Sequence, residues 1–321
     1  MAMNAPHLLV IRKVLGLLLL GICLAYFTSF FLANLSSLRD VSAITDHVGA
    51  LVLSTLVIAF SNTMLPAYSW WLLVHPVQQA LRLSQAIWIY AYTQIGKYLP
   101  GNVGHHVGRV FVAAQLGLDR KVAAWSVVAE ALLLLVFAAL QAALIVLLFA
   151  PELDLPIGRW LSPSRVLILL GLAATLILGA YFVVNRLQWR PVRQLIGEWR
   201  IPLPTPKVLV GYFLVNCVNA LVMGCVLAYI GFELFSISYS HYWLLLCAWL
   251  FAWVVGFVFP GAPAGLGVRE GIIAALLEAP LGGAATLGLI VVHRLVTSLV
   301  DVLVFVAAFQ QRRRFLPPRS T

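Results

Sequence analysis

The sequence predicts an all-α polytopic membrane protein, and three observations lead to this fold class. The chain of 321 residues is 62% hydrophobic and only 10% charged, and its mean hydropathy is +0.99. Its apolar residues form stretches that can cross a bilayer as helices, which takes about 20 residues each. Two Pro-Gly pairs, at 100–101 and 260–261, divide the chain into halves of similar layout. We therefore predict one membrane domain over 1–321, with repeats over 1–160 and 161–321.

Six apolar stretches are predicted to be full transmembrane helices. They are Val14–Leu32, Val48–Trp71, Val122–Phe149, Arg165–Val184, Val208–Ile230 and Ala285–Gln310. Arg12 and Lys13 precede the first stretch, as in a signal peptide. That stretch is as long as a full span and no clear cleavage site closes it, so we expect a retained helix. Shifted by about 160 positions, each helix of the first half meets one of the second.

Two further apolar stretches, Ser84–Gln115 and His241–Glu278, are interrupted by the Pro-Gly pairs. The arms of the first are about 15 residues long, or about 20–24 Å as helices, which is too short for a ~30 Å hydrocarbon core. We predict that each stretch is a re-entrant hairpin. Each half then has three spans and one broken hairpin, and an odd number of spans makes the second repeat inverted. The alternative is eight full spans with proline kinks and parallel repeats.

The charges alternate between the loops of this predicted topology. Of the 21 Lys and Arg residues, 14 lie in one set of loops: Arg12, Lys13, Arg82, Arg120, Lys121, Arg186, Arg190, Arg193, Arg200, Lys207, Arg312, Arg313, Arg314 and Arg319. The opposite loops hold Arg39, Arg159 and Arg165 beside Asp40, Asp46, Glu152, Asp154 and Glu233. This is the positive-inside pattern, which predicts cytoplasmic termini. It also explains the net charge of +10 without a nucleic-acid partner.

Two glycine-rich stretches, 97-KYLPGNVGHHVGR-109 and 258-VFPGAPAGLGVREG-271, interrupt these apolar segments and carry the candidate site. A helix that starts after each break would present free N–H groups and its positive end to an anion. The glycines that would admit a ligand are Gly101, Gly104, Gly261, Gly265 and Gly267. Close packing of small residues between helices is the alternative.

Arg109 and Arg269 each lie eight residues after their break. A guanidinium can bind a phosphate through two hydrogen bonds. We therefore predict that both arginines, together with Lys97, bind lipid phosphate, with one station for each leaflet. The alternative is structural: Arg269 pairs with Glu270 or Glu130, and Arg109 extends to the interface.

The remaining ionisable residues of the apolar segments are predicted to form a polar core. They are Glu130, Glu270, Arg294, Asp301, His105 and His106. The histidines could carry protons or only form hydrogen bonds to neighbouring helices. Neither the histidines nor the four cysteines have metal-ligand spacing, so no metal or cofactor is expected. The aromatic residues, Trp70, Trp88, Tyr90 and Trp253 among them, are mostly expected in interfacial belts.

The two glycine-rich stretches resemble the paired signatures of the lysylphosphatidylglycerol synthase transmembrane-region family, also called flippase-like. The run HRLVTSLVD at 293–301 is similar to that family's final helix. The resemblance carries nine signature positions to this chain: Pro100, Gly101, Arg109, Pro260, Gly261, Gly265, Gly267, Arg269 and Glu270. This chain differs from the family pattern at His105 and His106, where members of the family often have glycine or acidic residues. The sequence has no aminoacyl-transfer domain, so lysyl-lipid synthesis is not expected.

The resemblance implies a bacterial inner-membrane protein that moves a phospholipid or a polyprenyl-phosphate-linked glycan, and not an enzyme. Its partners would be membrane lipids and a glycosyltransferase or an aminoacyl-transferase; the sequence does not fix an oligomeric state. Two alternatives stay open. One is a polytopic glycosyltransferase that uses a polyprenyl-phosphate sugar, with Glu152 and Asp154 as its acidic pair. The other is an accessory subunit of envelope glycan assembly.

Overall fold

A computed structural model describes residues 47–99, 103–149, 202–258, 263–265 and 267–316. The predicted spans Val14–Leu32 and Arg165–Val184 lie outside these residues, as do both Pro-Gly pairs and the Glu152–Asp154 loop.

The described residues form helices and no strand. The helices are α1 (Val48–Val74), α2 (Leu83–Thr93), α3 (Gly104–Gln115), α4 (Arg120–Phe149), α5 (Pro206–Phe235), α6 (Tyr242–Val258), α7 (Val268–Leu281), α8 (Gly283–Gln310) and α9 (Arg312–Phe315). Three 3₁₀ turns connect them, at Gln94–Tyr98, Tyr239–His241 and Pro263–Gly265.

Local sequence explains where the helices begin and end. Thr205 caps α5, with its hydroxyl accepting from the N–H of Val208, and Pro206 occupies the first turn, where no N–H is needed. The same helix ends at Ser236, whose φ of 50° is left-handed. Helix α8 begins after Gly282, where a φ of 83° separates it from α7. A glycine adopts that conformation without a Cβ clash.

Among the described residues, four segments are long and apolar enough to cross a membrane: α1, α5, α8 and Tyr239–Phe257. The first three confirm predicted spans, and α4 covers the predicted third span with 30 residues. Tyr239–Phe257 had been predicted as one arm of a broken hairpin. It has 19 residues, so by length this arm alone approaches the thickness of the hydrocarbon core.

Helices α1 and α5, which occupy corresponding positions in the two halves, pack against each other in antiparallel orientation. His47, before α1, lies 3.6 Å from Glu233 near the end of α5. In the middle of the pair, Ser61 donates a 2.5 Å hydrogen bond to Asn219. A Cβ at Gly211, near the start of α5, would contact Leu72.

The two broken stretches fold back on themselves as helical hairpins. In the first, α2 packs against α3, and a Cβ at Gly96 would lie 2.6 Å from the backbone nitrogen of His105. In the second, α6 packs against α7, and a Cβ at Gly256 would lie 2.5 Å from Cγ of Arg269. Gly96 and Gly256 are 160 positions apart, and each permits the close approach of the returning arm.

The hairpins open toward opposite ends of the helix bundle. The open end of the first packs into an apolar cluster with the end of α1, the start of α4 and the end of α8; this cluster includes Val74, Leu81, Leu118, Val122 and Ala308. The open end of the second packs with the start of α1, the end of α5 and the start of α8; this cluster includes Ala50, Leu234, Ile237, Leu277 and Leu289. The tips of the hairpins, at the 3₁₀ turns Gln94–Tyr98 and Pro263–Gly265, contact each other between these clusters.

Candidate functional site

A cavity of about 200 Å³ lies at the meeting point of the two hairpin tips. Side chains of both halves line it, from α1, α4, α5 and α8 as well as from the hairpins. Most of the charged residues that the sequence singled out are among them: Lys97, His105, His106, Glu130, Arg269, Glu270, Arg294 and Asp301. The structure therefore brings together residues that are up to 204 positions apart in the chain.

Lys97 connects the first hairpin to the last long helix. Its Nζ lies 2.7 Å from Oδ2 and 2.8 Å from Oδ1 of Asp301, whose carboxylate is buried. The Tyr98 hydroxyl donates a second hydrogen bond of 2.6 Å to the same carboxylate. Lys97 therefore neutralises the Asp301 carboxylate, and the Tyr98 hydroxyl helps to fix its position. Lys97, predicted as a phosphate ligand, already has an anionic partner here.

Arg294 connects α8 to the second hairpin. Its Nε lies 3.2 Å from Oε1 of Glu270, and its Nη2 donates to the carbonyl oxygen of Ala264. Glu270 also accepts a 2.8 Å hydrogen bond from the backbone N–H of Gly267, which closes the first turn of α7. Glu270 therefore caps a helix and neutralises an arginine at the same time.

Arg109 and Glu130 form an ion pair, and each side chain is only 1% exposed. The guanidinium carbon of Arg109 lies 4.3 Å from the ring centroid of Tyr90 and 5.4 Å from that of Trp70. Close packing of a cation on aromatic faces is stabilising when water is excluded. Arg109 is thus enclosed by a carboxylate and two rings. The structural alternative offers Glu270 or Glu130 as the partner of Arg269, but in the structure Glu130 pairs with Arg109 and Glu270 with Arg294.

Arg269 is the exception among the charged residues of the cavity. It makes no ion pair or hydrogen bond with any described residue, and its buried Nε is without a partner there. Its guanidinium carbon lies 5.8 Å from the ring centroid of Trp253.

A comparison of the two halves of the sequence explains why Arg269 has no carboxylate partner among the described residues. Glu130 follows Arg109 by 21 positions, and the residue 21 positions after Arg269 is Ile290, which also lines the cavity. The second half has an apolar residue where the first half has the carboxylate partner.

The predicted glycines position the backbone and side chains around this site. A Cβ at Gly104 would collide with the carbonyl oxygen of Gly96, 2.5 Å away, so this glycine closes the first hairpin. A Cβ at Gly265 would lie 2.5 Å from Nε of Arg269, so this glycine makes room for the arginine. Gly267 has a φ of 79° and begins α7. Gly101 and Gly261 lie outside the described residues.

Strain in the backbone concentrates at the tip of the second hairpin. Ala264 is buried and has a φ of 51°, a left-handed conformation that a residue with a Cβ rarely adopts. Gly265 follows with a φ of 71°. Such conformations persist where the surroundings enforce them, and they are common at binding sites. The strained turn places the Ala264 carbonyl on Arg294 and the chain of Gly265 beside Arg269.

The three cavity histidines are His105, His106 and His293. The rings of His105 and His106 are tilted by 36° with their centroids 3.8 Å apart, and Nδ1 of His106 lies 3.5 Å from Nη2 of Arg109. Buried nitrogens of His105 and His293 have no hydrogen-bond partner among the described residues. Within that part of the chain no group of three His, Cys, Asp or Glu side chains is arranged to hold a metal ion.

Sequence reasoning missed the amide side chains that line the rest of the cavity. They are Asn62, Gln94, Gln141, Asn216 and Asn219. These residues could have been found in the sequence, because Asn and Gln inside long apolar stretches are as unusual as charged residues. Three of the aromatic residues, Trp70, Trp88 and Tyr90, are buried inside the helix bundle.

The long apolar helices and the charged central cavity define a multi-pass helical membrane protein with a polar core. The family model of the lysylphosphatidylglycerol synthase transmembrane region matches residues 10–304, so the chain belongs to this family. The resemblance carried by the two glycine-rich signatures is thereby confirmed. A search of the curated proteins found no match.

Proposed function

We propose that this protein is a lipid flippase of the bacterial inner membrane, with two re-entrant hairpins in an inverted repeat. The antiparallel α1–α5 pair supports inversion, because corresponding helices of inverted repeats run in opposite directions. The opening of the hairpins toward opposite ends of the bundle supports it too. Inverted repeats with broken helices at mid-membrane are a recurring transporter design, with the substrate site at the repeat interface.

The orientation follows from the charges at the two ends of the bundle. Arg82, Arg120 and Lys121 flank the apolar cluster that closes the first hairpin, and the basic helix α9 lies at the same end. Glu233 and Glu278 lie at the end where the second hairpin opens. By the positive-inside rule, the first end is cytoplasmic and the second faces outward.

The observation that carries this proposal is that Arg269, in the central cavity, forms no ion pair with a described residue. Lys97, Arg109 and Arg294 each have a carboxylate partner, and Arg269 has none among the described residues. A charged side chain within a membrane protein is unfavourable unless it is compensated. A lipid phosphate that enters the cavity supplies the missing anion, and the guanidinium can hold it with two hydrogen bonds.

Arg109 then has a different role from the one its signature predicts. Its guanidinium is occupied by Glu130 and two aromatic rings, so it anchors the first hairpin to α4. The proposed phosphate station is therefore asymmetric: the second hairpin binds the headgroup, and the first supplies Lys97 and the histidines as the facing wall. A lipid from either leaflet would reach the same arginine through the side that is open at the time.

Movement of headgroup-labelled lipid in proteoliposomes tests this function. Arg269→Gln removes the charge, and Arg269→Lys keeps the charge but loses the planar two-point contact. Losing a charge-assisted hydrogen bond weakens binding by about 1.5–3 kcal/mol, or roughly ten- to a hundredfold in occupancy. We expect both variants to move lipid more slowly, with Arg269→Gln the more severe.

Two further variants make the test specific. Ile290→Glu places a carboxylate 21 positions after Arg269, as Glu130 is placed after Arg109, and should suppress transport by occupying the arginine. Arg313→Gln changes an exposed arginine of α9 outside the cavity and should have no effect. Parent-like transport by all of the Arg269 and Ile290 variants would overturn the proposal.

A further inference from the structure

We propose that the lipid is a phosphodiester of net charge −1 whose headgroup carries hydroxyl groups and no amine. This inference rests on the proposed function and narrows its substrate class. It is carried by two properties of the same cavity: its charge balance and the chemistry of its uncharged wall.

The charge balance sets the net charge of the ligand. With the histidines neutral, the described residues of the cavity and their immediate partners hold four cations, Lys97, Arg109, Arg269 and Arg294, against three anions, Glu130, Glu270 and Asp301. One positive charge is left. A phosphodiester carries one negative charge and neutralises it. A pyrophosphate-linked lipid would leave excess negative charge in a site surrounded by lipid.

The same balance excludes an amine. Each described carboxylate of the cavity is within 3.2 Å of a lysine or arginine nitrogen. A headgroup ammonium would therefore have no free anion, and it would lie close to Arg269 and Arg294. Leaving a charge uncompensated in a low-dielectric site is strongly unfavourable.

The uncharged wall is rich in carboxamides that have unused hydrogen-bonding groups. Asn62 and Gln94 form no side-chain hydrogen bond with described residues, and both line the cavity. Asn219 uses its oxygen to accept from Ser61, which leaves its amide nitrogen without a described partner. Asn216 donates to Ser69 and to the Tyr212 carbonyl, which leaves its own oxygen without one.

Carboxamides match hydroxyl groups, because each amide offers two donors and one acceptor, and each hydroxyl is both a donor and an acceptor. The aromatic side chains of Trp249 and Trp253 line the same cavity and provide apolar faces for the carbon skeleton of a polyol. The cavity has a volume of about 200 Å³, below the ~300–1,000 Å³ typical of pockets that enclose a drug-sized ligand. This volume suits a lipid headgroup whose acyl or prenyl chains remain outside the cavity. Two lipid sources share this chemistry: phosphatidyl-polyols and polyprenyl-phosphate sugars.

The test is lipid binding by the purified full chain, measured as thermal stabilisation and by native mass spectrometry with added lipid. Phosphatidylglycerol, phosphatidylmethanol and phosphatidylethanolamine share the phosphodiester and differ in hydroxyls, charge and amine. We expect phosphatidylglycerol to bind most tightly, phosphatidylmethanol several-fold more weakly and phosphatidylethanolamine most weakly. A polyprenyl-phosphate hexose in a fourth arm decides between the two sources, by binding more or less tightly than phosphatidylglycerol.

Asn62→Leu removes one amide that forms no hydrogen bond within the described structure. We expect it to weaken phosphatidylglycerol binding roughly two- to tenfold, the effect of one hydrogen bond, with phosphatidylmethanol binding unchanged. Gln79→Leu changes an exposed amide outside the cavity and serves as the matched control. Arg269→Gln should weaken both lipids equally.

Three results would overturn the inference. Equal binding of phosphatidylglycerol and phosphatidylmethanol, or tighter binding of phosphatidylethanolamine, would show that hydroxyls and net charge do not select the lipid, while the phosphate station at Arg269 would stand. Binding of none of the lipids would overturn the phosphate station and this inference together.

Discussion

At the residue scale, the two signature arginines have different surroundings although their positions correspond in the two halves. Arg109 is enclosed by Glu130, Tyr90 and Trp70, whereas Arg269 lines the cavity and forms no ion pair with a described residue. The difference depends on a single corresponding pair, Glu130 and Ile290. Arg109 therefore stabilises the packing of the first hairpin, and the guanidinium of Arg269 can bind a ligand.

This difference predicts opposite effects on stability. Glu130→Gln leaves Arg109 buried without a counter-charge, and breaking a buried pair by removing one partner destabilises a protein by about 3–5 kcal/mol. We therefore expect a large decrease in Tm for Glu130→Gln in detergent. Arg269→Gln removes a charge that pairs with no described residue, and it should leave the Tm unchanged or raise it.

Glu278→Gln is the control for this comparison, because Glu278 is an exposed carboxylate at the end of α7. Its Tm should match that of the parent. If Glu130→Gln were as stable as Glu278→Gln, the Arg109–Glu130 pair would not anchor the first hairpin. A loss of stability in Arg269→Gln would indicate a structural partner for Arg269.

At the element scale, glycines decide how closely the two arms of each hairpin approach. Gly96 and Gly256 occupy corresponding positions, and each lies against the returning arm of its own hairpin. At Gly96 the returning arm presents backbone, and at Gly256 it presents the side chain of Arg269. The second hairpin is therefore built around the arginine, and its geometry and the ligand site are coupled.

Gly256→Ala tests this coupling. The new methyl group would lie 2.5 Å from Cγ and 2.8 Å from Nε of Arg269, so the arginine must move. Gly256 lies within α6, where alanine is more favourable than glycine, so we expect the helix to remain intact. The expected result is slower lipid movement with an unchanged Tm.

Gly271→Ala is the matched control, since a Cβ at this position in α7 has no atom within 4 Å. It should transport like the parent. If Gly256→Ala also did, the position of Arg269 against this glycine would not matter for transport.

At the scale of the whole molecule, the proposed inverted repeat makes a prediction about accessibility. Asp119 lies between α3 and α4 and Leu281 at the end of α7, so each follows its own hairpin. In a cysteine-free parent, a thiol at Asp119→Cys should react with a membrane-impermeant reagent only from the cytoplasmic side. A thiol at Leu281→Cys should react only from outside.

Arg313→Cys, in the basic helix α9, gives the cytoplasmic reference for this labelling. Reaction of both test positions from one side would contradict the inverted repeat and favour eight full spans. The length of Tyr239–Phe257 makes this experiment decisive for the second hairpin, because that arm is long enough to cross by itself.

The class of protein and the extent of the long helices that the structure describes could be predicted from the sequence alone. Hydropathy and charge are read along the chain, and a bilayer imposes length and sidedness on each segment separately. The family signatures are local too, because the glycines and arginines of each hairpin are within fourteen residues of each other. None of these inferences requires knowledge of which helices are neighbours.

The pairing of the charges could not be predicted from the sequence, and neither could the finding that Arg269 pairs with no described residue. From the sequence alone, Glu130 could pair with either arginine. In the structure, α3 packs on α4 and Glu130 pairs with Arg109. Lys97 and Asp301 are 204 positions apart, and no periodicity connects them. The amides of the cavity come from helices of both halves. Ion pairing and hydrogen bonding act over a few ångströms between side chains, so they are fixed by helix packing in three dimensions.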